Sequence, residues 1–196
     1  MNLENDAKNK FLQGDFVSAE KMFKQSGHVL EYAYCRLLAG DLKEAEFEFS
    51  KISDNDLRAN WAKTLISFIN LYVPKKPTYF QVRNFLEIDL HFLIQAAQAE
   101  YVENIINGAD IFYSVNPESY KFIARVLAFN NFDEIALLFL KKAKDKLYYD
   151  PEMHYMLAVS YLKLNDLDLA KLSLQNCLEI LPGYFPAAKL LDKISQ

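Results

Sequence analysis

The sequence predicts an all-α fold assembled from antiparallel helix pairs, and three observations predict it. Two helix-pair patterns follow one another at a spacing of 34 residues, over 117–150 and 151–184. Between paired helices the turn falls each time on a residue that tolerates positive φ: Gly14, Gly40, Asn131 and Asn165. Only five Gly and six Pro occur in 196 residues, so long elements should dominate. The pattern predicts about 11–12 helices.

In chain order, residues 3–13 read as a short helix, Gly14-Asp15 as a turn and 16–25 as a second helix, a degenerate first pair. The unit over 26–58 is clearer, with Tyr32 and Ala33 in its first helix, Gly40-Asp41 at the turn, and Ala45, Phe49 and Ile52 in its second. Residues 54–116 break the register and read as degenerate repeats with a proline-rich insertion. Ser53 and Asp56 start a helix there, with Leu57, Trp61, Leu65, Phe68, Ile69 and Tyr72 along one stripe. Val73-Pro74-Lys75-Lys76-Pro77 must interrupt it, because proline removes a donor and restricts the residue before it. Thr78 and Gln81 then form a capping box before a segment that is apolar on nearly every face, either one helix or two broken near Asp89. A further helix covers 101–113.

The best-patterned stretch is 151–182. Its first helix carries His154, Leu157, Ala158 and Tyr161; its second carries Ala170, Leu174 and Cys177, and Pro182 follows. Ala158 and Ala170 let two helices approach closely while the larger residues fill the space around them. Asp150 and Asp166 are placed to cap the two helices, with Pro151 at the first helical position. One period earlier the same places hold Tyr120, Ile123, Ala124 and Leu127, then Ala136, Leu140 and Ala143, with Asn116 before Pro117. The final segment, 184–196, puts Ala187, Leu190, Leu191 and Ile194 on one helical face and polar residues opposite, as the end of a repeat array requires.

This spacing resembles the tetratricopeptide-repeat (TPR) family, with His154 in place of the usual Trp and Ala158 in place of the usual Gly. The resemblance implies a right-handed superhelix, an α-solenoid, in which 1–196 form a single helical repeat domain and 184–196 cap it. It also implies a concave wall lined by first helices. From the matching positions, the candidate peptide-binding residues are Tyr34, Leu37, Leu38, Lys121, Arg125, Phe129, Tyr155, Val159, Leu162 and Lys163. Lys121 and Arg125, four apart, share a face and could hold a carboxylate, although a solvated basic pair is the simpler expectation. Relatives that clamp a C-terminal carboxylate use a fuller basic set, which earlier units here do not repeat.

No catalytic, metal or cofactor site is expected. His28, His91 and His154 are scattered without further ligands at metal spacing, and there is no glycine-rich phosphate loop. Trp61 reads as a core residue at a helix crossing, His154 as a packing residue, and the Lys75-Lys76 loop as surface. A net charge of −4 speaks against nucleic acid and anionic membranes as partners. No leader and no spanning segment are expected, and Cys35 and Cys177 read as reduced core thiols of a cytoplasmic protein. The expected function is a non-enzymatic scaffold or adaptor that holds a protein or peptide segment on its concave face. Two alternatives stay open: a subunit that self-associates through exposed aromatics into a homo-oligomer, and a repeat-type chaperone for a secreted or assembly client.

Overall fold

The computed structural model describes residues 3–72 and 75–195, and the regular structure among them consists of thirteen α-helices. Val73 and Pro74 of the proline-rich insertion lie outside the described residues. The fold class is therefore the all-α one that the periodicity predicts. The chain divides into two compact units, Met1–Ile111 and Phe112–Gln196.

In the first unit α1 (Leu3–Leu12) pairs with α2 (Phe16–Ser26), and α3 (Val29–Leu38) with α4 (Leu42–Ser50); α2 also packs on α3. Both hairpins turn in the same way. Gly14 and Gly40 have φ of +79° and +84°, and the next residue donates its N–H five residues back, Asp15 to Lys10 O at 2.9 Å and Asp41 to Arg36 O at 3.0 Å. This bond satisfies a carbonyl that the helix end leaves open. The same aspartates then cap the following helix, accepting from Ser18 N and Glu44 N at 3.2 Å.

The irregular middle of this unit holds α5 (Leu57–Ile69), α6 (Tyr79–Gln95) and α7 (Ala99–Asn107). Asp56 caps α5 through Arg58 N and Ala59 N, and Thr78 with Gln81 forms the expected capping box on α6. Trp61, Leu65, Phe68 and Ile69 are buried as the α5 stripe predicts, but Leu57 and Tyr72 at its two ends are exposed. α6 runs unbroken through Asp89 and buries Val82, Leu86, Leu90 and Leu93 on one face, while Phe80 and Ile88 are exposed on the other. α5 packs on α7 as well as on α6, so α6 is an excursion between two helices that meet each other. α7 is tied to the earlier turn: Gln98 Nε2 donates to Leu38 O at 2.8 Å and the Tyr101 hydroxyl to Gly40 O at 3.1 Å.

The helix expected over 101–113 is instead two, α7 and α8 (Ala109–Val115), separated at Gly108. A Cβ at Gly108 would stand 2.5 Å from the Phe68 ring, so the backbone approaches α5 where a side chain has no room. Leu71 and Ala97 end α5 and α6 with φ of +57° and +56°, and Tyr72 N and Gln98 N make the same five-residue back-bond as in the hairpins. Neither residue type signals such a turn.

The second unit pairs α9 (Ser119–Phe129) with α10 (Asp133–Lys144), and α11 (Pro151–Lys163) with α12 (Leu167–Ile180); α13 (Phe185–Ser195) packs on α12. Asn131 and Asn165 take φ of +63° and +61°, as their alignment with the glycines predicts. Ala124, Ala136, Ala158 and Ala170 are fully buried where the helices cross. Asn116 does not cap a helix beginning at Pro117; its Oδ1 accepts from Glu118 N at 3.0 Å in a turn that precedes α9. Around α13, Ala187 joins Ala158, Leu174 and Cys177 in a core flanked by Tyr155, Tyr184, Leu190, Leu191 and Ile194.

Candidate binding surfaces

The expected inner positions of the first unit are not accessible. Tyr34, Leu37 and Leu38 are buried, and α6 accounts for much of the polar structure around Tyr34. Asp89 of α6 is itself buried, ion-paired to Arg58 and accepting from Trp61 Nε1 at 2.6 Å. Burial pushes the Asp89 carboxyl above the usual range, opposed by Arg58 and by the hydrogen bonds from Trp61 and Tyr34. The Arg58 guanidinium lies 4.3 Å over the Tyr34 ring and 4.7 Å over that of Phe85, also on α6. Further along α6, Phe92 meets Phe11 and Phe16 edge-on at 4.9 and 6.2 Å. The helix between α5 and α7 thus occupies wall that a repeat would present to a partner. Beside it, α1, α2, α3 and Arg58 of α5 line a solvent-open pocket of about 370 Å³.

In the second unit Lys121 and Arg125 do share a face, and both are ion-paired within the chain: Lys121 is buried, whereas Arg125 is partly exposed. Lys121 is 5% exposed; its Nζ lies 2.5 Å from Asp150 Oδ2, 3.1 Å from Glu152 Oε2 and 3.7 Å from Glu118 Oε1. Arg125 Nη2 reaches Glu152 Oε1 at 2.7 Å. Burial opposes the Lys121 charge, and the hydrogen bonds and fields of Asp150 and Glu152 outweigh it, so the ammonium is held above its ordinary value. Asp150 serves two helices at once: Oδ1 caps α11 through Glu152 N at 2.9 Å, and Oδ2 takes the lysine of α9. At the far end Lys163 donates to Ala128 O at 2.9 Å and to Asp133 Oδ1 at 2.8 Å. A cation there also meets the negative end of α9. Ion pairs therefore join α9 to the start of α11 at one end, and at the other Lys163 links α11 to α9 by a hydrogen bond and to α10 by an ion pair.

What stays accessible among the candidates is Phe129, 75% exposed, with Tyr155, Val159 and Leu162 partly exposed and Lys163 at the edge. Tyr155 leans on the Tyr184 ring at 5.6 Å. In the sequence Asp150-Pro151-Glu152 has a sufficient local meaning as a helix start, which hides its acidic residues as partners of Lys121 and Arg125.

Other singled-out residues have structural places. Trp61 is fully buried, and Lys75 and Lys76 are exposed. His154 is buried, with Nε2 2.7 Å from Tyr148 O, and burial lowers its affinity for a proton. Cys35 and Cys177 are buried free thiols, and burial pushes Cys35 up to about 12. Among the described residues no group of three or more His, Cys, Asp or Glu is arranged to hold a metal ion, and no helix is long and apolar enough to cross a membrane.

No protein-family model matches the chain, and neither does any curated protein. Among solved structures, a thermophilic TPR protein of Thermus thermophilus is 17% identical, with 98% of this chain and 97% of that one covered, at a TM-score of 0.42.

Proposed function

We propose that the protein is a non-enzymatic scaffold that holds a segment of a protein partner on the inner face of α9 and α11. The observation that carries this reading is the accessible apolar strip of Phe129, Val159 and Leu162 on first-helix positions, bordered by Lys163. Lys121, Arg125 and Lys163 are already paired with acidic residues, so recognition would rest on the apolar anchors. Free buried thiols support a reducing, cytoplasmic setting. The test is quantitative affinity purification from native extract with Phe129→Ala and Val159→Glu, beside an outer-face control, Leu172→Ser. A partner lost from the two inner variants and retained by the control supports the site; equal recovery from all three, each shown folded by circular dichroism, removes it.

A second reading has its own observation. Ile135 and Leu138 on α10, and Leu169 and Leu172 on α12, are exposed and sit one 34-residue period apart. A repeated apolar stripe on second helices favours self-association through that face. Light scattering of the pure protein decides it: a dimer that dissociates in Leu138→Lys/Leu172→Lys supports this reading, and a monomer at high concentration ends it.

A further inference from the structure

Leu138 of α10 and Leu172 of α12 are exposed at the same place in successive helix pairs, with Ile135 and Leu169 beside them. The charges around this apolar face indicate what covers it. Glu134 lies four residues before Leu138 and Lys141 three after it, about 6 Å and 4.5 Å away along the helix. At 3.6 residues per turn both stand to the same side of Leu138, by about 40° and 60°. Both are exposed, and among the described residues neither forms an ion pair within the chain. Lys141 Nζ rests 5.7 Å from the centre of the Tyr161 ring, and the neighbouring Asp133 is taken by Lys163. On α12 the corresponding places hold Asp168 and Gln175, also exposed.

This pattern is complementary to itself. A two-fold axis along the line from Leu138 to Leu172 lays α10 antiparallel on α10 of a second copy, and α12 on its α12. Such an axis reverses the helix direction and keeps the side, so Glu134 comes opposite Lys141 of the second copy, and Lys141 opposite its Glu134. By the same operation Asp168 comes opposite Gln175 of the second copy, whose amide can donate to the carboxylate. Leu138 and Leu172 meet their own counterparts. A two-fold axis along the helices would instead set α10 on the second copy's α12, running the same way. That brings Glu134 level with Asp168 and Asp145 level with Glu179, all exposed acids, so like charges oppose it.

We propose that α10 and α12 form a two-fold interface with a second copy of this chain, each α10 antiparallel to the other, with reciprocal Glu134–Lys141 ion pairs beside an apolar centre. This arrangement rests on self-association through the outer face and adds its symmetry and its contacts. It is independent of the strip on α9 and α11.

Dimer dissociation of the full chain is measured by analytical ultracentrifugation at about 0.1 M salt, where exposed charges in contact still interact. Glu134→Lys and Lys141→Glu each set like charges opposite one another twice, once on each side of the axis. Each should weaken the dimer at least about tenfold. Glu134→Lys/Lys141→Glu restores opposite charges and should return to within about threefold of wild type. All are surface changes, and circular dichroism verifies the fold. Leu138→Cys, on the axis, should form a disulfide-linked dimer under mild oxidation, the native Cys35 and Cys177 being buried. A monomer at high concentration overturns self-association and this arrangement together. A dimer that Glu134→Lys strengthens or leaves unchanged, that the paired reversal fails to restore, or that Leu138→Cys does not cross-link overturns this arrangement alone.

Discussion

Replacing Lys121 by Met tests whether the ion pairs between α9 and α11 hold the second unit together. Met keeps the apolar stem and removes the ammonium, so the change isolates the charge. The Lys121 side chain is 6% exposed, while Asp150 and Glu152 are 21% and 42% exposed. Breaking a fully buried pair costs about 3–5 kcal/mol, because one charge is left buried without its partner. Here the carboxylates left behind can still reach water, so the cost is discounted to about 2 kcal/mol. Urea unfolding at pH 7 followed by circular dichroism measures it. The sign with pH is also set. Lys121 is held above its ordinary 10.5, so its contribution is complete below that value and is lost as pH rises through the higher folded value. The wild type should therefore lose its advantage over Lys121→Met only at strongly alkaline pH. A loss below about 0.5 kcal/mol at pH 7 would place Lys121 with ordinary surface pairs and refute the reasoning.

Three further changes follow from single geometries. Gly108→Ala should destabilise by about 1–3 kcal/mol in thermal or urea unfolding, because its methyl group would meet the Phe68 ring; an unchanged midpoint would contradict the close packing of Gly108 on α5. Ala97→Gly should stabilise by about 0.5–1 kcal/mol, since a positive φ costs alanine more than glycine, and a loss of stability would argue against the turn. Burial holds His154 below its ordinary 6.5, so its contribution is present above that pH and is lost as pH falls from 6.5 toward the lower folded value. Unfolding midpoints between pH 8 and pH 5 should show this fall in the wild type and less of it in His154→Phe; parallel profiles would assign the acid sensitivity elsewhere.

What was legible in the sequence, and what was not, divides by the range of the interaction. Gly14, Gly40, Asn131 and Asn165 announce their turns because the controlling bond spans five residues and the φ requirement falls on one of them. Asp150 and Asp166 announce caps for the same reason, since each bonds an N–H two or three residues on, and Asp15 and Asp41, legible only as turn residues, cap in the same way. Leu71 and Ala97 adopt the same turn without the residue type that advertises it, so the packing of α5, α6 and α7 sets the backbone there and local preference yields.

The inner wall depends on longer connections. Asp89 meets Arg58 and Trp61 across 31 and 28 residues, and Lys121 meets Asp150 across 29. A repeat register fixes which positions face inward, but any element that returns to those positions decides whether they are surface or core. Tyr34 and Phe129 both occupy inner-wall positions by the repeat register; one lies under a network supplied by α6 and the other is 75% exposed. The consequence is testable in one comparison. Phe129→Ala should leave unfolding within about 0.5 kcal/mol of wild type, as exposed substitutions do. Tyr34→Ala should cost about 3–5 kcal/mol, as loss of a buried aromatic does, with Arg58 and Asp89 losing a neighbour besides. If the two variants unfolded alike, inner-wall position alone would set the role of a residue, and the separation drawn between the wall beside α6 and the accessible strip would fail.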